Sequence, residues 1–398
     1  MNPKMKVLLI TDNHSLHGGG AEKYFFALKR QLKLRSDIEV FSLGFGPKQV
    51  IGDDFVILRG SDSKIIRQWW NMFFHPIKYL QLRKWIKKIN PDVIHLHNVR
   101  KYTISLLTAV RGYKVLQTVH DHGLVCPSMT NIHNNLEICP TGIRLSCLFQ
   151  HQGQYSLPIY LGVLFSFWRM KRLLKKTVSQ FIVPSPWLEH YLKLNHFNPV
   201  TYIPLFVHPE KNFPEATPQP NHFLYVGRLD KNKGAHILID EFAQACQKNN
   251  KLILKIAGQG ALENSLRKKV SELNLTENIY FLGWQSQTEI DALYQECCAV
   301  IFPNVGLEAF GLVMTEAMSH ARPVIGSKRG TTAWIVDHQK TGLLVNILKR
   351  NELGSAILFL AENPALIEQY GQNARKKLFE FPSDQELIDK IMGLYRSC

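Results

Sequence analysis

A chain of 398 residues has room for two or three domains. Its 45% hydrophobic and 20% charged residues exclude wholesale disorder. Lys and Arg number 48 against 32 Asp and Glu, a net charge of +16, and the whole excess lies in residues 1–205, with 27 basic and 11 acidic side chains, whereas residues 206–398 hold 21 of each.

The first half reads as alternating strands and helices. Residues 6–11 form a short buried strand, a glycine run at residues 18–20 makes the turn, and residues 21–34 have helical spacing. Further strands are expected at 39–43, 92–97, 114–120, 181–183 and 200–203, with a helix over 101–110. Such alternation predicts a parallel sheet covered on both faces. Residues 206–222, with Pro209, Pro214, Pro218 and Pro220, read as a linker. The pattern then restarts, with strands at 223–227, 252–258, 279–283, 299–303, 323–326 and 342–345. The expected fold class is α/β, with two Rossmann-like, doubly wound domains facing a central cleft and ligands beyond the carboxyl ends of the strands. The domains are placed at residues 1–205 and 206–381.

Four groups of residues fall at strand ends. Gly227-Arg228 with Lys233-Gly234 supplies a forked and a point cation, suited to a diphosphate. Glu308 lies in a turn before a helix starting near Phe310, Gly311 and Leu312, whose free amides can receive a phosphate. Glu316, two turns on, can accept both hydroxyls of a ribose, while Glu308 faces the sugar side. Gly18-Gly19-Gly20 permits close backbone approach to an anion. The fourth group is His95, His97, Asn98, His120, Asp121 and His122. His120 is the candidate for chemistry, since it is read as ending a buried strand, and His97, Asn98 and Asp121 are placed on the acceptor side. Cys126, Cys139 and Cys147, with His133 and His151, match no compact zinc spacing, so no metal site is assigned.

In this order the motifs resemble the retaining glycosyltransferases of family 4, with the GT-B fold, of the bacterial cell-surface glycan type. They are the glycine-rich first turn, residues 91–98, Val119-His120-Asp121, Val183-Pro184-Ser185, Val226-Gly227-Arg228, Lys233-Gly234, residues 257–260, Phe281-Leu282-Gly283, the two glutamates and residues 340–345. The resemblance implies that Arg228 and Lys233 hold the donor diphosphate, assisted by amides at Phe310, Gly311 and Leu312. It places Glu316 on the ribose, Glu308 on the transferred sugar, and Gly227, Gly258 and Trp284 in the donor site, with Trp284 against the base. His120 stands beside the sugar, Gly19 and Gly20 close over the phosphates, and a last helix near residues 382–398 completes the first domain. Ala321, Thr331 and Trp334 depart from the usual glycine, glycine and glutamate, which bears on donor preference. The implied activity moves a hexosyl unit from a nucleoside diphosphate sugar to an acceptor hydroxyl. The acceptor is read as a lipid-linked glycan. A soluble or protein acceptor, or a non-catalytic nucleotide-sugar sensor, is the alternative. No cofactor and no metal are called for, as no Asp-x-Asp stands near the site.

The basic excess concentrates in residues 64–88 and 161–176, interleaved with Trp69, Trp70, Phe73, Phe74, Trp85, Phe165 and Trp168. Rings and cations together suit an anionic membrane surface. Nucleic acid is not expected, since none of its recognition motifs appears. The longest apolar-looking run, residues 155–168, contains Pro158 and is shorter than the roughly 20 residues of a membrane span. With no signal-peptide pattern at the start and seven scattered cysteines, the expectation is a cytoplasmic protein, peripheral at the inner face of the plasma membrane.

Overall fold

The computed structural model describes residues 3–14, 19–60, 73–98, 100–126, 131–133, 136–139, 142, 147, 157–207 and 218–397. Gly18, the stretch around Trp69 and Trp70, His151 and most of the proline-rich linker lie outside them. The chain divides into two compact units, Met1–Phe206 with Asp384–Cys398, and Val207–Ser383.

The first unit is built on a sheet of eight strands: β1 (Met5–Thr11), β2 (Ile38–Gly46), β3 (Val50–Ile51), β4 (Phe55–Arg59), β5 (Val93–His97), β6 (Lys114–Thr118), β7 (Gln180–Val183) and β8 (Val200–Tyr202). Their spatial order is β3-β4-β2-β1-β5-β6-β7-β8, parallel except for β3. Central strands are apolar on both faces: Val7, Leu8 and Leu9 are fully buried, as are Ile94 and Leu96. This is how a sheet covered by helices on both sides must read. Strands β3 and β4 have no counterpart in the sequence reading, and β6 stops at Thr118, two residues before His120.

Helices Pro76–Ile89, Thr103–Ala109 and Leu157–Thr177 follow β4, β5 and β6. The first two pack against each other, and the second packs against the third. Helix Gly20–Lys33 follows β1, and helix Asp384–Ser397 from the chain end packs on it. Gln31 donates to Asp384 at 2.8 Å, Arg35 pairs with Asp389 at 3.1 Å, and Tyr395 is buried beneath the helix.

The second unit has six parallel strands, β9 (His222–Val226), β10 (Ile253–Ala257), β11 (Ile279–Gly283), β12 (Ala299–Phe302), β13 (Val324–Ser327) and β14 (Gly342–Val345), in the order β11-β10-β9-β12-β13-β14. The order reverses between β9 and β12, so a ligand crevice is expected beyond their carboxyl ends. Buried Glu241 on helix Ala235–Lys248 ties that helix to its neighbour on the same face of the sheet. Its two oxygens accept the amides of Asn351 at 2.9 Å and Gly354 at 3.1 Å, at the start of helix Glu352–Glu362.

Candidate functional site

At the carboxyl edge of the second sheet the loops are stitched backbone to backbone. The amide of Gly227 donates to Ala257 at 3.0 Å, and that of Gly258 to Gly283 at 2.7 Å. A Cβ on Gly258 would overlap the carbonyl of Gly227, and one on Gly234 (φ +75) would overlap that of Pro303. Only glycine lets these chains approach so closely. The amides of Val305 and Gly306 both donate to Asn232, at 3.0 and 2.8 Å, which locks the loop after β9 to the turn after β12.

That contact brings Lys233 onto Glu308, 75 residues away. The ammonium of Lys233 donates to Glu308 Oε1, and Asn304 Nδ2 donates to the same oxygen at 2.5 Å. Beneath them, Thr331 Oγ1 donates to the Glu308 carbonyl at 2.8 Å. Phe310 is buried against Trp334 (6.0 Å between ring centroids) and Phe381 (6.2 Å). The turn is therefore held on its side chain, its backbone and its following ring. Helix Leu312–Ser319 begins at Gly311 with no side chain capping it among the described residues, leaving first-turn amides available to an anion. On this helix Glu316 accepts from Tyr294 Oη at 3.1 Å, which fixes its carboxylate. Arg228 reaches into solvent: 70% of its side chain is exposed and it pairs with Asp230 at 2.9 Å, while Tyr225 Oη donates to its carbonyl at 2.9 Å. Trp284, 58% exposed, follows Gly283 at the end of β11.

The carboxyl edge of the first sheet carries a histidine cluster. His97 ends β5, and its Nδ1 lies 3.1 Å from His120 Nε2. His97 Nε2 is buried without a partner among the described residues. His95 is held at both nitrogens, by Tyr395 Oη and Thr118 Oγ1, each at 2.7 Å. Tyr24 from helix Gly20–Lys33 lays its ring against His120 at 5.4 Å and Phe206 at 5.3 Å. Burial pushes His95 and His120 down to about 3, with Arg100 adding to it at His120, and it holds His97 well below its usual range. All three rings are therefore neutral near neutral pH. Asp12, just past β1, accepts the amides of Arg100 (2.9 and 2.8 Å) and Lys101 (2.8 Å); burial raises it to about 6. The guanidinium of Arg100 pairs with Asp121, whose other oxygen accepts the Gly123 amide at 2.7 Å. Asn98 sits beside this network with φ +48, and Gly19 precedes the helix that Gly20 opens.

Residues named from the sequence are thus gathered at two edges, one per unit. Those that the sequence did not single out for the site are Asp12, Tyr24, Tyr225, Asp230, Tyr294 and Tyr395. Asp12 could have been found, since it lies just beyond a strand end. Cys126, Cys139 and Cys147 are buried, with the thiols of Cys139 and Cys147 directed at the Gly142 carbonyl, at 3.8 and 4.0 Å.

The family model described as Glycosyltransferase Family 4 matches residues 18–211, and that described as Glycosyl transferases group 1 matches residues 208–377. Over 177 residues the chain is 31% identical to the O-antigen chain mannosyltransferase C of Escherichia coli, a stretch covering 44% of this chain and 46% of that protein. Over 160 residues it is 34% identical to the D-rhamnosyltransferase WbpZ of Pseudomonas aeruginosa, covering 40% of each. The chain thus matches less than half the length of these curated relatives. Among solved structures, that of Anabaena HepE in complex with UDP-glucose superposes with a TM-score of 0.71 at 17% identity, covering 99% of this chain and 100% of that one.

Proposed function

The chain belongs to the glycosyltransferases that join a Family 4 domain to a group 1 domain in the GT-B fold, and from that premise we propose that it moves a hexosyl unit from a nucleoside diphosphate sugar to an acceptor hydroxyl, with retention at the anomeric carbon. The observation that carries this reading is the Lys233–Glu308–Asn304 group, set before an uncapped helix start at Gly311. A donor that brings its diphosphate to that helix start meets free amides and a lysine with hydrogen-bonding capacity beyond Glu308. Arg228, mostly in solvent and paired with nearby Asp230, can swing onto the same charge. As the glycosidic bond breaks, negative charge grows on the leaving diphosphate, and fixed cations and dipoles are most effective where charge develops. Glu316, oriented by Tyr294, takes the ribose hydroxyls, and Glu308 takes those of the sugar. The stacked face of Trp284 covers the base.

In the first unit, neutral His120 serves as a hydrogen-bonding group toward the acceptor rather than as a charged acid. Its orientation is set by His97 and Tyr24. Retention follows if the departing phosphate oxygen takes the acceptor's proton on the same face as the attack. Arg228, Lys233 and the helix amides supply the neutralising charge, so the proposal needs no divalent cation. Two relatives are named as an O-antigen chain mannosyltransferase and a D-rhamnosyltransferase, which supports a glycan acceptor in cell-surface polysaccharide synthesis; a lipid anchor on that glycan is favoured by the basic, carboxylate-free helices of the first unit.

The test is nuclear magnetic resonance of the reaction with a panel of nucleotide sugars and glycan acceptors, with and without a chelator. The proposal expects acceptor-dependent release of nucleoside diphosphate and an anomeric configuration equal to the donor's, unaffected by chelation. An inverted product refutes the retaining mechanism, and loss of turnover on chelation refutes the metal-free one.

A further inference from the structure

Helices Pro76–Ile89 and Leu157–Thr177 carry ten Lys and Arg between them and no Asp or Glu. Their exposed positions fall in one stripe on each. On the first these are Pro76, Ile77, Leu80, Lys84, Lys87 and Lys88. On the second they are Leu161, Phe165, Trp168, Arg172, Lys175 and Lys176. Steps of three and four residues keep each set on a single helix face. Both stripes have the same polarity, apolar in the first half and cationic in the second. Ile77, Leu80, Phe165 and Trp168 are each more than half exposed, at 61, 64, 63 and 57%.

Cations in a last helical turn complement the helix dipole, which accounts for where they sit. It does not account for two helices without a single carboxylate, nor for four large apolar side chains left in water. Solvated helix faces mix both signs of charge and keep large apolar groups few.

The fold aligns the two stripes. Helix Thr103–Ala109 packs against both helices, so the three form one layer. Each links one parallel strand to another further along the sheet in the same direction, β4 to β5, β5 to β6 and β6 to β7. Right-handed crossovers then place all three on the same face. The helices return against the strand direction, so their apolar beginnings lie toward the carboxyl ends of the strands, the edge that carries His97 and His120.

We propose that this helical layer is a docking face for an anionic lipid surface. Ile77, Leu80, Phe165 and Trp168 enter the boundary between headgroups and acyl chains, and the cations behind them meet lipid phosphates. Charge complementarity selects this occupant: the layer is wholly basic, whereas the second half of the chain is neutral overall. Arg172 already lies over the Trp168 ring, at 5.5 Å, so a cation and a ring can enter the interface together. Docking itself does not depend on the proposed transfer. Its consequence does rest on that reading: the edge bearing His97 and His120 is brought to the membrane, where the hydroxyl of a lipid-anchored glycan is presented.

The experiment is co-sedimentation of the purified full chain with vesicles of phosphatidylcholine alone and of phosphatidylcholine with phosphatidylglycerol at three to one, at low and high salt. The wild type should sediment with the mixed vesicles only. Reversing Lys84, Arg172 and Lys176 to Glu should lower the partition coefficient by about tenfold or more, with salt acting in the same direction. Changing Leu80, Phe165 and Trp168 to Ser should lower it too, at unchanged charge and melting temperature. Reversing Lys268 and Lys349, two exposed lysines of the second unit, should leave it unaltered. Wild-type protein that ignores the mixed vesicles at low salt overturns the proposal, as do stripe variants that bind like wild type. Binding of single-stranded DNA in place of vesicles, lost in the charge-reversed variant, would assign the face to nucleic acid and overturn it as well. Since no donor is needed, a protein that docks but transfers nothing would sink the transferase reading and spare this one.

Discussion

Acidification should destabilise the first unit, and the histidine cluster sets the size of the effect. His95 sits at about 3 in the folded chain against an ordinary 6.5, because burial disfavours its charged form. Between those values the unfolded chain binds a proton that the folded one refuses, so stability is lost as pH falls below the unfolded value. Going from about pH 7.5 to about pH 5 removes about 2 kcal/mol through His95, with a similar loss through His120, which is also held at about 3. Asp12 opposes this. Raised to about 6 from 3.8, it takes up a proton in the folded state first and returns about 1.4 kcal/mol over the same interval. The balance is a loss of roughly 2–3 kcal/mol, to which lowered His97, His14 and His75 add in the same direction. In a unit of this size that corresponds to roughly 5–10 °C in melting temperature. Calorimetry of the full chain across this pH range reads it directly. His120→Asn should flatten the dependence by about 2 kcal/mol. A transition that is pH-independent, or that rises on acidification, would refute the assignment of these rings as buried and neutral.

Three substitutions test other parts of the structure. Ala321 adopts φ +55, a left-handed conformation that costs a residue with a Cβ; Ala321→Gly should stabilise the protein by about 0.5–1 kcal/mol in urea titration. Glu241→Ala leaves the Asn351 and Gly354 amides without their buried acceptor and should cost about 2–4 kcal/mol, with Glu241→Gln losing less. Thr331→Val removes the hydroxyl that holds the Glu308 carbonyl at nearly equal volume. Steady-state kinetics should show turnover reduced by about tenfold, with melting changed by roughly 1 kcal/mol at most.

The sheets were legible because buried parallel strands are written as short apolar runs, and β1, β5, β9 and β12 all are. β3 and β4 were not: β3 is two exposed residues, and Asp53 and Asp54 separate it from β4 like an ordinary loop. Residues 114–120, with Val115, Leu116 and Val119, read as one strand ending at His120, yet pairing with β5 ends at Thr118. At the site, Lys233 and Glu308 were each visible as strand-end residues, but not as partners. Their meeting depends on Gly234 nesting against Pro303, a backbone packing event with no local signature. The Tyr395–His95 bond spans 300 residues and likewise has none. Trp334 stood out as a departure from a pattern. Its role emerges only in three dimensions, where it packs against Phe310 and Phe381 beneath the turn that follows Glu308.

The central claim is that the second unit grips an activated sugar through Lys233 and Glu316. A thermal-shift titration of wild type, Lys233→Ala and Glu316→Ala against a panel of nucleoside diphosphate sugars puts it to the sharpest test. One donor should raise the wild-type melting temperature by several degrees at saturation, and both variants should lose most of that rise. Equal shifts in all three proteins, or no shift with any donor, would contradict the account.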